Sequence, residues 1–170
     1  PPEGVLFLLT ADSLAGVLPT IRSRCVSFAI APVSPADCAR YCTAHGVDKK
    51  TAALYSELFD GHIGTVLTAA RDKARTEQVD KAMELARAAQ AGDSYTAAVL
   101  LAPYEKDKAG AAALLRDLRA VAAAGLQGSP HAPVQGQQAQ RTLRLAEAAI
   151  QRLGAQVNPK IVLSVFAAKF

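Results

Sequence analysis

The hydrophobic pattern changes character along the chain. Val5-Leu6-Phe7-Leu8-Leu9-Thr10 is a nearly unbroken apolar run, the pattern of a strand buried on both faces as in a parallel sheet. Cys25 to Ile30 returns as a second short strand. Between them, Asp12 or Ser13 offers a side-chain oxygen to cap a short helix through Val17. Pro19 then opens another turn with a helix-ready φ, at a position whose amide would go unpaired anyway. Residues 1–30 read as a βαβ remnant, and the start at Pro1-Pro2-Glu3, directly before the first apolar run, reads as a piece cut from a longer protein.

Pro32-Val33-Ser34-Pro35 is a boundary, because prolines interrupt both kinds of element and Ser34-Pro35 is a helix start. A helix to about Ala44 stops at Gly46; Asp48 caps a second, with Leu54/Leu58 and Tyr55/Phe59 one turn apart; Gly61 ends it and a third runs to about Arg71. These short helices form a small bundle over residues 34–73. From Lys73 the helices lengthen, with apolar stripes through Val79, Ala82, Met83 and Ala86, through Leu114, Leu118 and Val121, and through Ala146, Ala149, Ile150 and Leu153. Ser94 is expected to cap a helix to about Pro103, and Gln127 to Gln138 to be a mobile Gly/Pro/Gln-rich loop. Asn158-Pro159 starts a last helix, apolar on most sides, that must be docked or buried in an interface. Residues 74–170 form a second helical domain.

Composition agrees: 51% of the 170 residues are apolar but only 5% aromatic, and alanine is abundant, which favours close-packed helices over a β-sandwich. Three cysteines exclude a complete set of disulfides and point to reduced thiols in a cytoplasmic protein. No apolar stretch is long enough for a transmembrane helix and no signal peptide is evident, so no membrane role is expected. The net charge of +4 is concentrated at the end: residues 111–170 carry Arg116, Arg119, Arg141, Arg144, Arg152, Lys160 and Lys169 against Asp117 and Glu147. That balance suits nucleic acid or an acidic partner, and suits equally a solvated helical face.

No GxxxxGK[ST] loop is present, so the chain has no such cradle for a nucleoside triphosphate. Cys38 and Cys42 sit one helical turn apart near His45, but a zinc site would need further ligands, and core thiols are the simpler reading. His45, His62 and His131 have no evident acid or nucleophile beside them, so no metal, cofactor or intrinsic catalysis is expected. The exception is Leu18-Pro19-Thr20-Ile21-Arg22-Ser23-Arg24-Cys25, which places a permanently charged guanidinium at a junction between two strands. From there Arg24 can reach a phosphate on a neighbouring molecule, although Arg22 is an equally available cation.

This segment, with Pro2-Glu3-Gly4-Val5-Leu6-Phe7-Leu8-Leu9-Thr10 before it, resembles the sensor-1 to Ser-Arg-Cys region of AAA+ clamp-loader subunits over about 25 residues. The rest is similar more loosely, ending in Asn158-Pro159-Lys160-Ile161-Val162-Leu163. The resemblance implies a mainly α fold with three parts: the C-terminal remnant of an AAA+ α/β sheet at 1–33, a three-helix lid at 34–73, and an all-helical collar for oligomerisation at 74–170. It implies a subunit of the bacterial DNA polymerase III clamp loader, assembled with gamma/tau and delta subunits, that helps load the sliding clamp onto primed DNA. Arg24 would act in trans on a neighbour's ATP site, supported by Ser23, Cys25, Pro19 and Thr20. Gly64 stands where motor subunits carry a lid arginine, so a member that does not hydrolyse ATP is expected. A motor-type fragment and a basic helical module binding DNA through residues 111–170 remain alternatives.

Overall fold

The computed structural model describes residues 4–11, 13–31, 33–155 and 157–170. It divides into two units, Pro1–Ala31 and Pro32–Phe170. The chain is mainly helical, and no strand occurs among the described residues.

In the first unit, the Ser13 hydroxyl accepts from the Ala15 amide and starts a single 3₁₀ turn, Leu14–Gly16. Leu18 and Pro19 then open α1, Pro19–Arg22. The expected strands at Val5–Thr10 and Cys25–Ile30 are not formed. A strand persists only where a neighbour satisfies its amides and carbonyls, and no described residue of this unit supplies a ladder. The large apolar side chains are uncovered instead, Leu8 at 86% exposure, Phe28 at 84% and Ile30 at 95%. The expectations placed on Pro1, Pro2, Glu3, Asp12 and Pro32 lie outside the described residues.

The second unit follows its capping residues. Ser34 accepts from the Asp37 amide and Pro35 opens α2, Pro35–Ala44. The Asp48 carboxylate accepts from the amides of Lys50 and Thr51 at the head of α3, Lys49–Leu58. Beyond it, Gly61 takes a φ of +72°, and a Cβ there would lie 1.8 Å from the Val33 carbonyl oxygen. Only glycine fits that turn. The chain continues as α4, Ile63–Arg71, and, after an Asp72 cap, α5, Lys73–Ala91. Next comes α6, Ser94–Leu101, whose cap is Asp93 rather than the expected Ser94. The Asp93 carboxylate takes both the amide and the hydroxyl of Thr96, which a serine hydroxyl one residue later does not do. The remaining helices are α7, Lys108–Leu126, α8, Gly136–Gly154, and α9, Pro159–Ala167, the last capped by Asn158.

Helix α7 lies along α8 and also meets α3 and α5, while α9 rests on α6 and α8. Leu85, Leu114, Leu115, Leu118, Val121 and Leu153 fill the centre, with Ala82, Ala86, Ala111, Ala122, Ala139 and Ala146 where backbones draw close. One apolar cluster runs from Cys38 to Ala167, so the helices of residues 34–73 and 74–170 share it. The loop expected to be mobile is packed: Ala132 and Val134 are buried, and the side-chain Nε2 of Gln135 donates to the carbonyls of Ser129 and Ala132. Gly125 lets it approach, since a Cβ there would lie 1.9 Å from the Val134 carbonyl oxygen. Helix α8 begins inside the expected loop, so Gln137 and Gln138 are helical.

Candidate functional site

The sequence-predicted residues share one turn at the end of α1. Pro19 sets the first helical φ, and the Ser23 amide closes the turn on the Pro19 carbonyl at 3.0 Å. The Thr20 carbonyl is the hub: it accepts from Ser23 Oγ at 3.2 Å and from Arg24 Nη1 at 2.8 Å. A carbonyl at the end of so short a helix has no amide partner further along, so it is free to take side-chain donors. The Arg24 amide donates to the Ile21 carbonyl and the Cys25 amide to that of Arg22. Cys25 is an exposed free thiol. Arg22, Ser23, Arg24 and Cys25 are all exposed.

Chemically, this arrangement presents a cation whose direction is partly set. Nη1 is engaged with the backbone of its own turn, and the remaining guanidinium donors have no protein partner among the described residues. Such a fork can accept an anion without first giving up a carboxylate. Arg22 makes no comparable bond to its own turn, which separates two cations that were equivalent by sequence.

The other candidates are structural. Cys38 and Cys42 are fully buried on α2, and burial, reinforced by Cys38, pushes the Cys42 thiol above its ordinary value. His45 stacks on Tyr41, with its Nδ1 2.8 Å from the Tyr41 carbonyl oxygen, and does not join the thiols. Among the described residues no three His, Cys, Asp or Glu side chains gather as a metal site would require.

A polar junction inside the second unit escaped the sequence reading. Arg75 on α5 forms a bidentate pair with Asp117 on α7, Nη2 to Oδ1 at 2.5 Å and Nη1 to Oδ2, while Gln78 Nε2 donates to Oδ2 at 2.6 Å. The guanidinium also lies 5.6 Å from the ring centre of Phe59, just beyond α3. Hydrogen bonding to Asp117 holds Arg75 above the usual guanidinium value. Asp117 sits within the apolar stripe of Leu114, Leu118 and Val121, and a carboxylate at such a position signals a buried partner. Its partner 42 residues away is not readable from the sequence.

The basic residues of 111–170 divide between helices. Arg116 and Arg119 are exposed on α7, and Arg141, Arg144 and Arg152 on α8. Lys160 meets Glu105 at 3.5 Å, and Arg141 Nη2 donates to the Lys169 carbonyl at 2.6 Å. No described helix is long and apolar enough to cross a membrane. No family model, no curated protein and no solved structure matches the chain.

Proposed function

We propose that this chain is the C-terminal portion of a delta-prime-type subunit of a bacterial DNA polymerase III clamp loader. In this reading residues up to 33 end an AAA+ α/β core, α2 to α4 form its lid, and the later helices form the collar that joins gamma/tau and delta subunits. The subunit hydrolyses no ATP itself. Arg24 enters the ATP site of an adjacent motor subunit and stabilises the charge that develops on the transferred phosphoryl group, as a permanently charged fork of donors can. The assembly then opens the sliding clamp and places it on primed DNA.

The observation that carries the reading is the Arg24 turn: an exposed guanidinium, oriented by the Thr20 carbonyl, between Ser23 and Cys25 and without an acidic partner among the described residues. The uncovered apolar side chains around it support it, because a sheet fragment leaves such surface for the rest of its sheet. Gly64 is exposed on α4 with no side chain to reach a nucleotide, in keeping with a subunit that does not hydrolyse ATP.

The test is a loader reconstituted with the full subunit and its partners. Arg24→Ala should leave assembly unchanged by gel filtration and lower turnover at the neighbouring site by about 10³-fold or more. Arg22→Ala should have little effect. Undiminished clamp-stimulated ATP hydrolysis in Arg24→Ala would overturn the assignment, and failure to copurify with loader subunits would overturn the wider reading.

A further inference from the structure

We propose that the exposed face of α8 binds the phosphodiester backbone of a nucleic acid, through Arg141, Arg144 and Arg152. The inference stands on the second unit alone and does not depend on the role of Arg24. At about 100° per residue, these three arginines fall within about 80° of one another around the helix, and at 1.5 Å per residue they extend over roughly 16 Å. The buried side chains Ala139, Thr142, Ala146, Ala149 and Leu153 occupy the other side. The stripe is therefore held outward by the packing of α8 on α7 and α9.

Three features identify the ligand class. First, Arg144 and Arg152 have no hydrogen bond or ion pair among the described residues, so their charge is not spent internally. Glu147, the acidic residue of α8, lies about 100° around the helix from the centre of the stripe and pairs with none of them. Second, neutral amide donors accompany the cations: Gln137, Gln138 and Gln140 line an open groove of ≈ 500 Å³ with Arg141, Arg144 and Leu145. Guanidinium and amide donors together are the usual backbone-positioning set for phosphate oxygens. Third, the large apolar side chain beside the stripe, Leu145, is partly buried against the core, so the arginines do not surround an exposed apolar or aromatic anchor of the kind that centres a protein interface. Repeated cations at a spacing of one to two helical turns match a polymer of phosphates better than a single anion.

The test is fluorescence anisotropy of the full chain with a labelled single-stranded oligonucleotide and with its duplex, between about 50 and 200 mM salt. Arg144→Gln/Arg152→Gln is the informative variant, because Arg141 also holds the Lys169 carbonyl and its loss would disturb α9. Loss of two phosphate contacts should weaken binding about tenfold or more and flatten the salt slope by about 1.4 for single strands or 1.8 for duplex. Tighter binding of either form supports the proposal and names the form. Lys49→Gln/Lys50→Gln removes the same charge from α3 and should change little. An equal loss in that variant would overturn the site in favour of net charge. Absence of binding by the unaltered chain, or equal competition by poly-glutamate, would also overturn it, the latter in favour of an acidic protein partner.

Discussion

Leu8 and Leu118 are the same side chain in two different circumstances. Leu118 is fully buried on α7, while Leu8 is 86% exposed, and their surroundings repeat the contrast. No described residue of the first unit is buried, although Val5 to Leu9 is among the most apolar stretches of the chain. In the second unit almost every helix has a neighbour from the same chain against its apolar side. At roughly 25 cal/mol per Å² removed from water, a buried leucine contributes about 2–3 kcal/mol to its fold and an exposed one almost nothing. Hydrophobic sequence is thus a demand for a partner surface. The second unit meets that demand internally, and the first presents surface of the kind that other chains or segments cover.

The largest effect separates the two directly. Leu118→Ala should lower the stability of the helical unit by about 2–5 kcal/mol in urea denaturation, because α7 is held on several sides and closes poorly over a cavity. Leu8→Ala should shift the same transition by no more than about 0.5 kcal/mol. Comparable losses would mean that Leu8 is covered in solution and that the two regions are not different in kind.

The same contrast governs what was legible in the sequence. The helices of the second unit were readable because caps and glycine stops act locally: Ser34-Pro35, Asp48, Gly46 and Asn158-Pro159 each fix an end through bonds a few residues long. The strands at Val5 and Cys25 were read from apolar runs, but a run specifies only burial, and the ladder that makes a strand depends on residues elsewhere. The Gln127–Gln138 stretch misled in the opposite direction. Its glycines, prolines and glutamines suggested mobility, while Val134 and Ala132 seat it against Gly125. The Arg24 turn was legible as a motif, but the use of the Thr20 carbonyl to orient one arginine and not the other was not. Residues far apart in sequence, such as Arg75 and Asp117, meet only once the helices have packed.

That pair offers a second, smaller way to probe the internal partnership. Asp117 has a side chain only 7% exposed, against 25% for Arg75. Asp117→Ala leaves the guanidinium and Gln78 without their acceptor. A fully buried pair broken on one side costs about 3–5 kcal/mol, and the partial exposure of Arg75 should reduce this to about 2–3 kcal/mol. Replacing both, as Arg75→Met/Asp117→Leu, should recover most of the loss, since no charge is then left unpaired. If the double variant is no better than Asp117→Ala in urea denaturation, the pair serves chiefly to set the geometry between α5 and α7 rather than to neutralise a buried charge.

The smallest effect concerns helix starts, where the two units again differ. The second unit uses the titratable caps Asp48 and Asp93 beside the neutral Ser34 and Asn158, while the first uses the Ser13 hydroxyl, which does not titrate across the ordinary range. The Thr51 amide, followed by that of Lys50, holds the Asp48 carboxyl below its ordinary 3.8. The Thr96 hydroxyl, followed by its amide, does the same for Asp93. A carboxyl with a depressed folded value stabilises the fold fully above its unfolded value; that contribution fades as pH falls below 3.8 through the folded value. Asparagine caps a helix without titrating. Asp48→Asn/Asp93→Asn should therefore change the urea midpoint little at neutral pH and flatten its decline below about pH 4. The comparison is sharpest against Ser13→Ala, which removes a cap with no charge to lose. It should leave the acid slope of the helical unit untouched, so a change in that slope would show that the first unit's turn is coupled to the stability of the second.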